Sequence, residues 1–168
     1  MKLFLPTILF LLTPFCQLFA QKEQVTFDNI MRMPNDTIKV DSLSNWGADL
    51  EFKNNAVSLH CQQEALKIAH KLGDKKRIGN IYYLMGCEEQ ILEKYGESLQ
   101  HLQKAYILFE ELKMYKKLIK SSLKMGQLFS SKLDPYSSIR YYLKTLSLAK
   151  QYNYEEYQAH EISWRFSI

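Results

Sequence analysis

The feature that most limits what this chain can fold into is a self-similarity at a spacing of 40 residues. Moving residues 79–112 forward by 40 carries Met85-Gly86 onto Met125-Gly126, Ser98-Leu99 onto Ser138-Ile139 and Lys104-Ala105 onto Lys144-Thr145. Moving them back carries Ser98-Leu99 onto Ser58-Leu59 and Ala105 onto Ala65. A repeated unit of this length cannot bury its apolar face alone. It buries that face against its neighbours, which makes a solenoid. Within each unit the apolar spacing is helical. Ile78, Tyr82, Met85, Gly86 and Glu89 share one stripe, and Leu99, Leu102, Ala105, Tyr106 and Phe109 share another. The expected fold class is therefore all-α, a solenoid of antiparallel helix pairs.

The units read as residues 36–73, 74–113 and 114–153. Asp36-Thr37 can start the first helix, because their side-chain oxygens accept from free backbone N–H groups. Val40, Leu43, Gly47 and Leu50 form its stripe, Asn54-Asn55 breaks it, and a second helix runs over residues 56–72 with Leu59, Gln62, Ala65, Leu66 and Ala69 inward. Gly73 suits a left-handed helix end, and its counterparts one and two periods on are Lys113 and Asn153, so the middle of the three turns is the least well specified. Lys94-Tyr95-Gly96 reads as the turn inside the second unit. Asp134-Pro135 is the strongest turn, because Asp caps and Pro is preset for the first helical position. The third unit repeats the stripes with Ile119, Ser122, Met125, Gly126 and Phe129, then Ile139, Tyr142, Thr145, Leu146 and Ala149. Residues 21–35 read as an irregular lead-in, and residues 157–168 as an incomplete fourth unit or tail, with strand-like alternation over residues 162–168. That tail suggests either a shortened form of a longer protein or a segment that pairs with something.

Residues 1–20 have the layout of a secretory signal peptide. Lys2 begins it, residues 3–12 are apolar except for Pro6 and Thr7, and Ala20 precedes Gln21. Pro6, Pro14 and Gln17 interrupt the run, which falls short of the ~20 apolar residues needed to span a bilayer. The expectation is an exported chain, periplasmic or secreted, with no membrane span after cleavage. Cys61 and Cys87 then read as two small buried hydrophobes, with a disulfide between them the alternative that export permits. No CxxC, HExxH or paired Cys/His spacing is present, so no metal or cofactor is expected. A net charge of +4 without a nucleic-acid motif argues against nucleic acid as a partner.

These residues together resemble the tetratricopeptide repeat, a helical pair with W-x-x-L-G-x-x-Y in its first helix and A-x-x-x-F with a later Ala in its second. Tyr82, Met85 and Gly86 stand at the first helix's Trp, Leu and Gly positions; Ser98, Leu102 and Ala105 stand at the second helix's Ala, Phe and Ala. The next unit offers Met125, Gly126 and Phe129, then Ser138, Tyr142 and Thr145. A period of 40 exceeds the usual ~34 and looks like a longer-helix bacterial variant. The resemblance covers residues 36–156 and implies a superhelix whose first helices line a concave groove for a peptide or partner helix. By that register the groove shows Asn80, Tyr83, Cys87 and Gln90, then Lys120, Leu123 and Gln127. Lys113, Lys116, Lys117, Lys120 and Lys124 form a lysine run, in which Lys116, Lys120 and Lys124 fall at i, i+4 and i+8, a basic stripe able to hold an acidic peptide, although a charge run is usually a solvated face. The four His residues are dispersed, with no nucleophile at a catalytic spacing. The function expected is non-catalytic, a protein–protein interaction scaffold that binds a peptide or partner helix in the concave groove, with an acidic partner suited to the basic stripe. The alternative is the sensory N-terminal part of a two-component sensor kinase or transcriptional regulator, where such arrays also occur.

Overall fold

The structure is a computed structural model that describes residues 24–50, 53–131 and 134–158. The expected signal peptide and the strand-like stretch 162–168 lie outside the described residues. Everything described is helix or turn. Helix α1 covers residues 24–31, which corrects the irregular lead-in expected there. After it come α2 (Thr37–Asp49), α3 (Asn55–Leu72), α4 (Lys75–Ile91), α5 (Tyr95–Glu111), α6 (Tyr115–Ser131), α7 (Pro135–Gln151) and α8 (Glu155–Gln158).

The regular beat is 20 residues, half the sequence period. Helices α4 to α7 begin at residues 75, 95, 115 and 135, and each is 17 residues long. The turns repeat as well. Gly73, Glu93, Lys113 and Asn153 all have positive φ, between 54° and 65°. At each turn the next residue's N–H reaches back five residues: Asp74 to Ala69 O at 3.1 Å, Lys94 to Glu89 O at 2.8 Å, Met114 to Phe109 O at 2.8 Å and Tyr154 to Ala149 O at 2.9 Å. This is the Schellman closure, which satisfies the carbonyls left over at a helix end. Only the first of these turns has glycine at its left-handed position. The turn within the second unit lies at Glu93-Lys94, so Gly96 belongs to the first turn of α5 and not to the connection.

Helix starts follow the sequence signals. Asp36, Asn54, Asp74 and Asp134 each accept from the backbone N–H three residues on, at 3.0 to 3.3 Å. Pro135 occupies the first helical position of α7. Helix α1 is fastened by an unexpected group. Lys39 is 4% exposed, and its ammonium donates to Met31 O at 2.7 Å, Met33 O at 3.2 Å and Asn35 Oδ1 at 3.0 Å. A buried cation on the carbonyls that end a helix is favourable in both charge and hydrogen bonding.

The principal contacts join helices adjacent in sequence, with the pairs α2/α3, α4/α5 and α6/α7 the most extensive. Helix α4 also touches both α2 and α6. The core is a series of clusters. Val40, Leu43, Leu59, Ile68, Ile81 and Met85 join α2, α3 and α4. Leu102, Ala105, Phe109, Leu118 and Met125 join α5 and α6. Ile119, Ala149 and Tyr157 join α6, α7 and α8. Burying a side chain the size of Leu102 or Phe109 contributes roughly 1.5–3 kcal/mol.

Candidate functional site

Helices α2, α4 and α6 line one cavity of about 560 Å³. From α2 come Val40, Asp41, Ser44 and Asn45; from α4, Arg77, Asn80, Ile81, Tyr83 and Leu84. Phe109 closes the end of α5, Lys113 and Met114 form the following turn, and α6 adds Tyr115, Lys116, Lys117 and Lys120, with Tyr154 before α8. The wall is apolar where Val40, Ile81, Leu84 and Phe109 meet it. Its rim is mostly basic.

Three of those charges are already engaged. Arg77 makes a two-pronged contact with Asp41, Nε to Oδ1 at 2.8 Å and Nη2 to Oδ2 at 2.6 Å, and Nη1 reaches Asp74 Oδ2 at 2.6 Å. Arg77's side-chain bonds hold the Asp41 carboxyl below its ordinary value. The Arg77 backbone N–H, and then its guanidinium, hold the Asp74 carboxyl below its ordinary value as well. Lys116 pairs with Glu156 at 2.9 Å, and that contact raises its pKa.

Lys117 differs. Its ammonium donates to Asn80 Oδ1 and lies 5.8 Å from the centre of the Phe109 ring. It makes no ion pair among the described residues. Burial lowers its pKa, and the nearby charges of Lys76 and Lys120 lower it further. A half-buried cation with a neutral hydrogen-bond partner and cationic neighbours is the group in this cavity best suited to an added anion.

Of the residues that the sequence placed in a groove, Asn80, Tyr83, Lys116 and Lys120 line the cavity. The others sit elsewhere. Cys87 is 7% exposed and inside the fold. Leu123 packs towards Ile119, Ala149 and Tyr157. Lys124 and Gln127 are half-buried on α6, and Gln90 on α4 is half-buried with its Oε1 unbonded. The i, i+4, i+8 lysine stripe is therefore divided: Lys116 and Lys120 face the cavity and Lys124 does not. Arg77 was missed, although the period relates it directly to Lys117, which the sequence placed in the lysine run but not in the groove. Asp41 was missed for another reason. Gly47 abuts Cys61, Gln62 and Ser58, whereas Gly86 abuts Leu102 and Ser98, so the first helix of the first unit is shifted by one residue and its groove positions cannot be read from a shift of 40.

The structural repeat positions are inside. Met85, Gly86, Ser98, Leu102, Ala105, Met125, Gly126, Ser138 and Thr145 are buried; Tyr82, Phe129 and Tyr142 are half-buried. Cys61 and Cys87 are buried thiols, and burial pushes the Cys61 thiol up to about 12. Among the described residues no group of three or more His, Cys, Asp or Glu is placed to hold a metal, and no helix is long and apolar enough to cross a membrane.

In comparison with known proteins, no family model matches the chain, and neither does any curated protein.

Proposed function

We propose that the chain is a non-catalytic scaffold, a tetratricopeptide-type solenoid that holds an acidic peptide on the face formed by α2, α4 and α6. The array reading is supported by helices of equal length every 20 residues and by clusters that link each pair to the next. The binding reading is supported chiefly by Lys117, a half-buried ammonium beside Asn80 and Lys120 in a cavity with an apolar wall. An extended peptide can lay an apolar side chain against Leu84, which is half-buried in that wall, while a carboxylate takes the Lys117 ammonium.

The test uses a fluorescent acidic peptide and its Gln-substituted counterpart, read by anisotropy. The double variant Lys117→Glu with Lys120→Glu is expected to lower affinity for the acidic peptide at least tenfold, to close the gap between the two peptides, and to keep its helical circular dichroism. A double variant that binds the acidic peptide as well as the parent does would remove the acidic-partner reading.

A further inference from the structure

The cavity between α2, α4 and α6 carries more positive charge than one carboxylate can balance. Five cations line it, Arg77, Lys113, Lys116, Lys117 and Lys120, against one carboxylate, Asp41. Two further carboxylates reach in from outside the lining, Asp74 to Arg77 and Glu156 to Lys116. Five positive charges against three negative leave an excess of two. Lys113, Lys117 and Lys120 carry that excess, since none of them makes an ion pair among the described residues.

Helix stability does not account for this charge. Helices α4 and α6 begin Lys75-Lys76-Arg77 and Tyr115-Lys116-Lys117, with no acidic residue in either first turn. A cation at that end of a helix opposes the helix dipole. The two starts are also close in space: after burial, the charges of Lys76 and Lys120 disfavour the Lys117 ammonium. Like charges gathered where neither the helix nor a neighbouring acid favours them are stabilised by an anion from outside. The donors suit an anion rich in oxygens. Asn80 takes one N–H of the Lys117 ammonium and leaves two, and Lys113 and Lys120 each bring three more from exposed positions. A carboxylate offers two oxygens and a single charge. A phosphate monoester at pH 7 offers three acceptor oxygens and a charge of about −1.5 to −2, which matches the excess.

We propose that the acidic group this cavity takes is a phosphorylated side chain of a partner peptide, held by Lys117 and Lys120 with Lys113 at the rim. The proposal rests on the acidic-peptide reading and narrows it to a dianion. Lysine binds phosphate as a point charge, so three flexible ammonium groups can close on one phosphate without a fixed fork. The half-buried Leu84 in the same cavity favours a peptide over free phosphate. It offers apolar contact to a residue beside the phosphorylated one, and inorganic phosphate has no group to place there.

One fluorescent peptide in three forms, with phosphoserine, glutamate or serine at its centre and leucine beside it, tests the proposal by anisotropy. The phosphoserine form is expected to bind about tenfold tighter than the glutamate form. Lys117→Gln and Lys120→Gln are each expected to close most of that gap with helical circular dichroism preserved, and Lys124→Gln, outside the cavity, to leave it unchanged. Equal affinity for the phosphoserine and glutamate forms, both above serine, would overturn the phosphate and leave the acidic peptide standing. No difference among the three forms would remove both. A phosphoserine preference that survives Lys117→Gln and Lys120→Gln would overturn the assignment to these lysines. Inorganic phosphate binding as tightly as the phosphoserine form would assign the cations to free phosphate. Sedimentation with phosphatidylcholine vesicles only when phosphatidic acid is added, lost in Lys117→Gln, would assign them to a lipid headgroup. Either result overturns the peptide.

Discussion

Gly86 leaves no space for a side chain. A Cβ there would stand 2.7 Å from Leu102 Cγ and 3.2 Å from Ser98 O. Ser98 Oγ donates to Gly86 O at 2.7 Å, and Ser138 Oγ repeats the bond to Gly126 O at 3.0 Å. The small residue and the hydroxyl act together: the glycine brings the two helices of a pair into contact, and the serine satisfies a carbonyl that this contact shields from water. Gly96 is the contrasting case, since a Cβ there would meet nothing within 4 Å. Gly86→Ala is expected to lower stability by about 1–3 kcal/mol through overpacking. Gly96→Ala is expected to raise it by about 0.4–1 kcal/mol through the unfolded chain's lost freedom. Urea midpoints of the two variants compare them directly. Equal midpoints would mean that the Gly86 contact yields more easily than the geometry indicates.

At the scale of the element, the turns carry a strain that the helices do not. Glu93, Lys113 and Asn153 hold the same left-handed conformation as Gly73. An L-residue there costs roughly 1–2 kcal/mol in the αL region, which Asn relieves in part by local hydrogen bonding and Lys and Glu do not. Glu93 is exposed and lies outside the cavity lining, so it isolates the effect. Glu93→Gly is expected to stabilise the protein by about 0.5–1 kcal/mol, the relieved strain less the entropy that glycine adds to the unfolded state. A thermal melt checks it, and a lower melting temperature would show that Glu93 contributes something its backbone geometry does not display. The residues chosen at these turns look arbitrary in the sequence, because a side chain pointing into solvent is selected weakly. The hydrogen-bonded closure around them repeats with little variation.

For the molecule as a whole, cohesion comes from clusters in series and a few bridges between units. The most developed bridge is Arg77, which joins Asp41 of α2 to Asp74 at the head of α4. Both carboxyls titrate below the ordinary value of 3.8, so folding favours their ionised forms. A depressed carboxylate pKa contributes stability that is complete above the unfolded pKa and is lost as pH falls through the lowered folded value. The bridge is thus fully present at pH 5 and above, and fades as pH drops below about 4. Asp41 is 49% exposed, so solvent screens much of this contribution. The stability difference between the parent and Asp41→Asn is expected to narrow as pH falls from 5 to 3, followed by denaturant titration at each pH. A difference that stays constant over that range would assign Asp41 a role other than charge.

Much of this arrangement was legible without coordinates. Helical periodicity, the N-caps Asp36, Asp74 and Asp134, Pro135 and the spacing of 40 depend on groups only a few residues apart or on the repetition itself, so the sequence alone determined the helical class, the unit length and the buried small positions; Asn54 read only as a break and proved to be a cap as well. The stretch 24–31 escaped because its helix is held by Lys39, whose ammonium reaches back across several residues to the carbonyls at its end. The site was only half readable for a geometric reason. A stripe on one helix shows which residues share a face, but not which neighbour that face meets; Lys120 opens to the cavity while Lys124, one turn further on the same stripe, does not. That assignment, and the isolation of Lys117 from any described carboxylate, was decided by how α2, α4 and α6 lie beside one another, because contacts between distant residues are set by packing and not by local spacing.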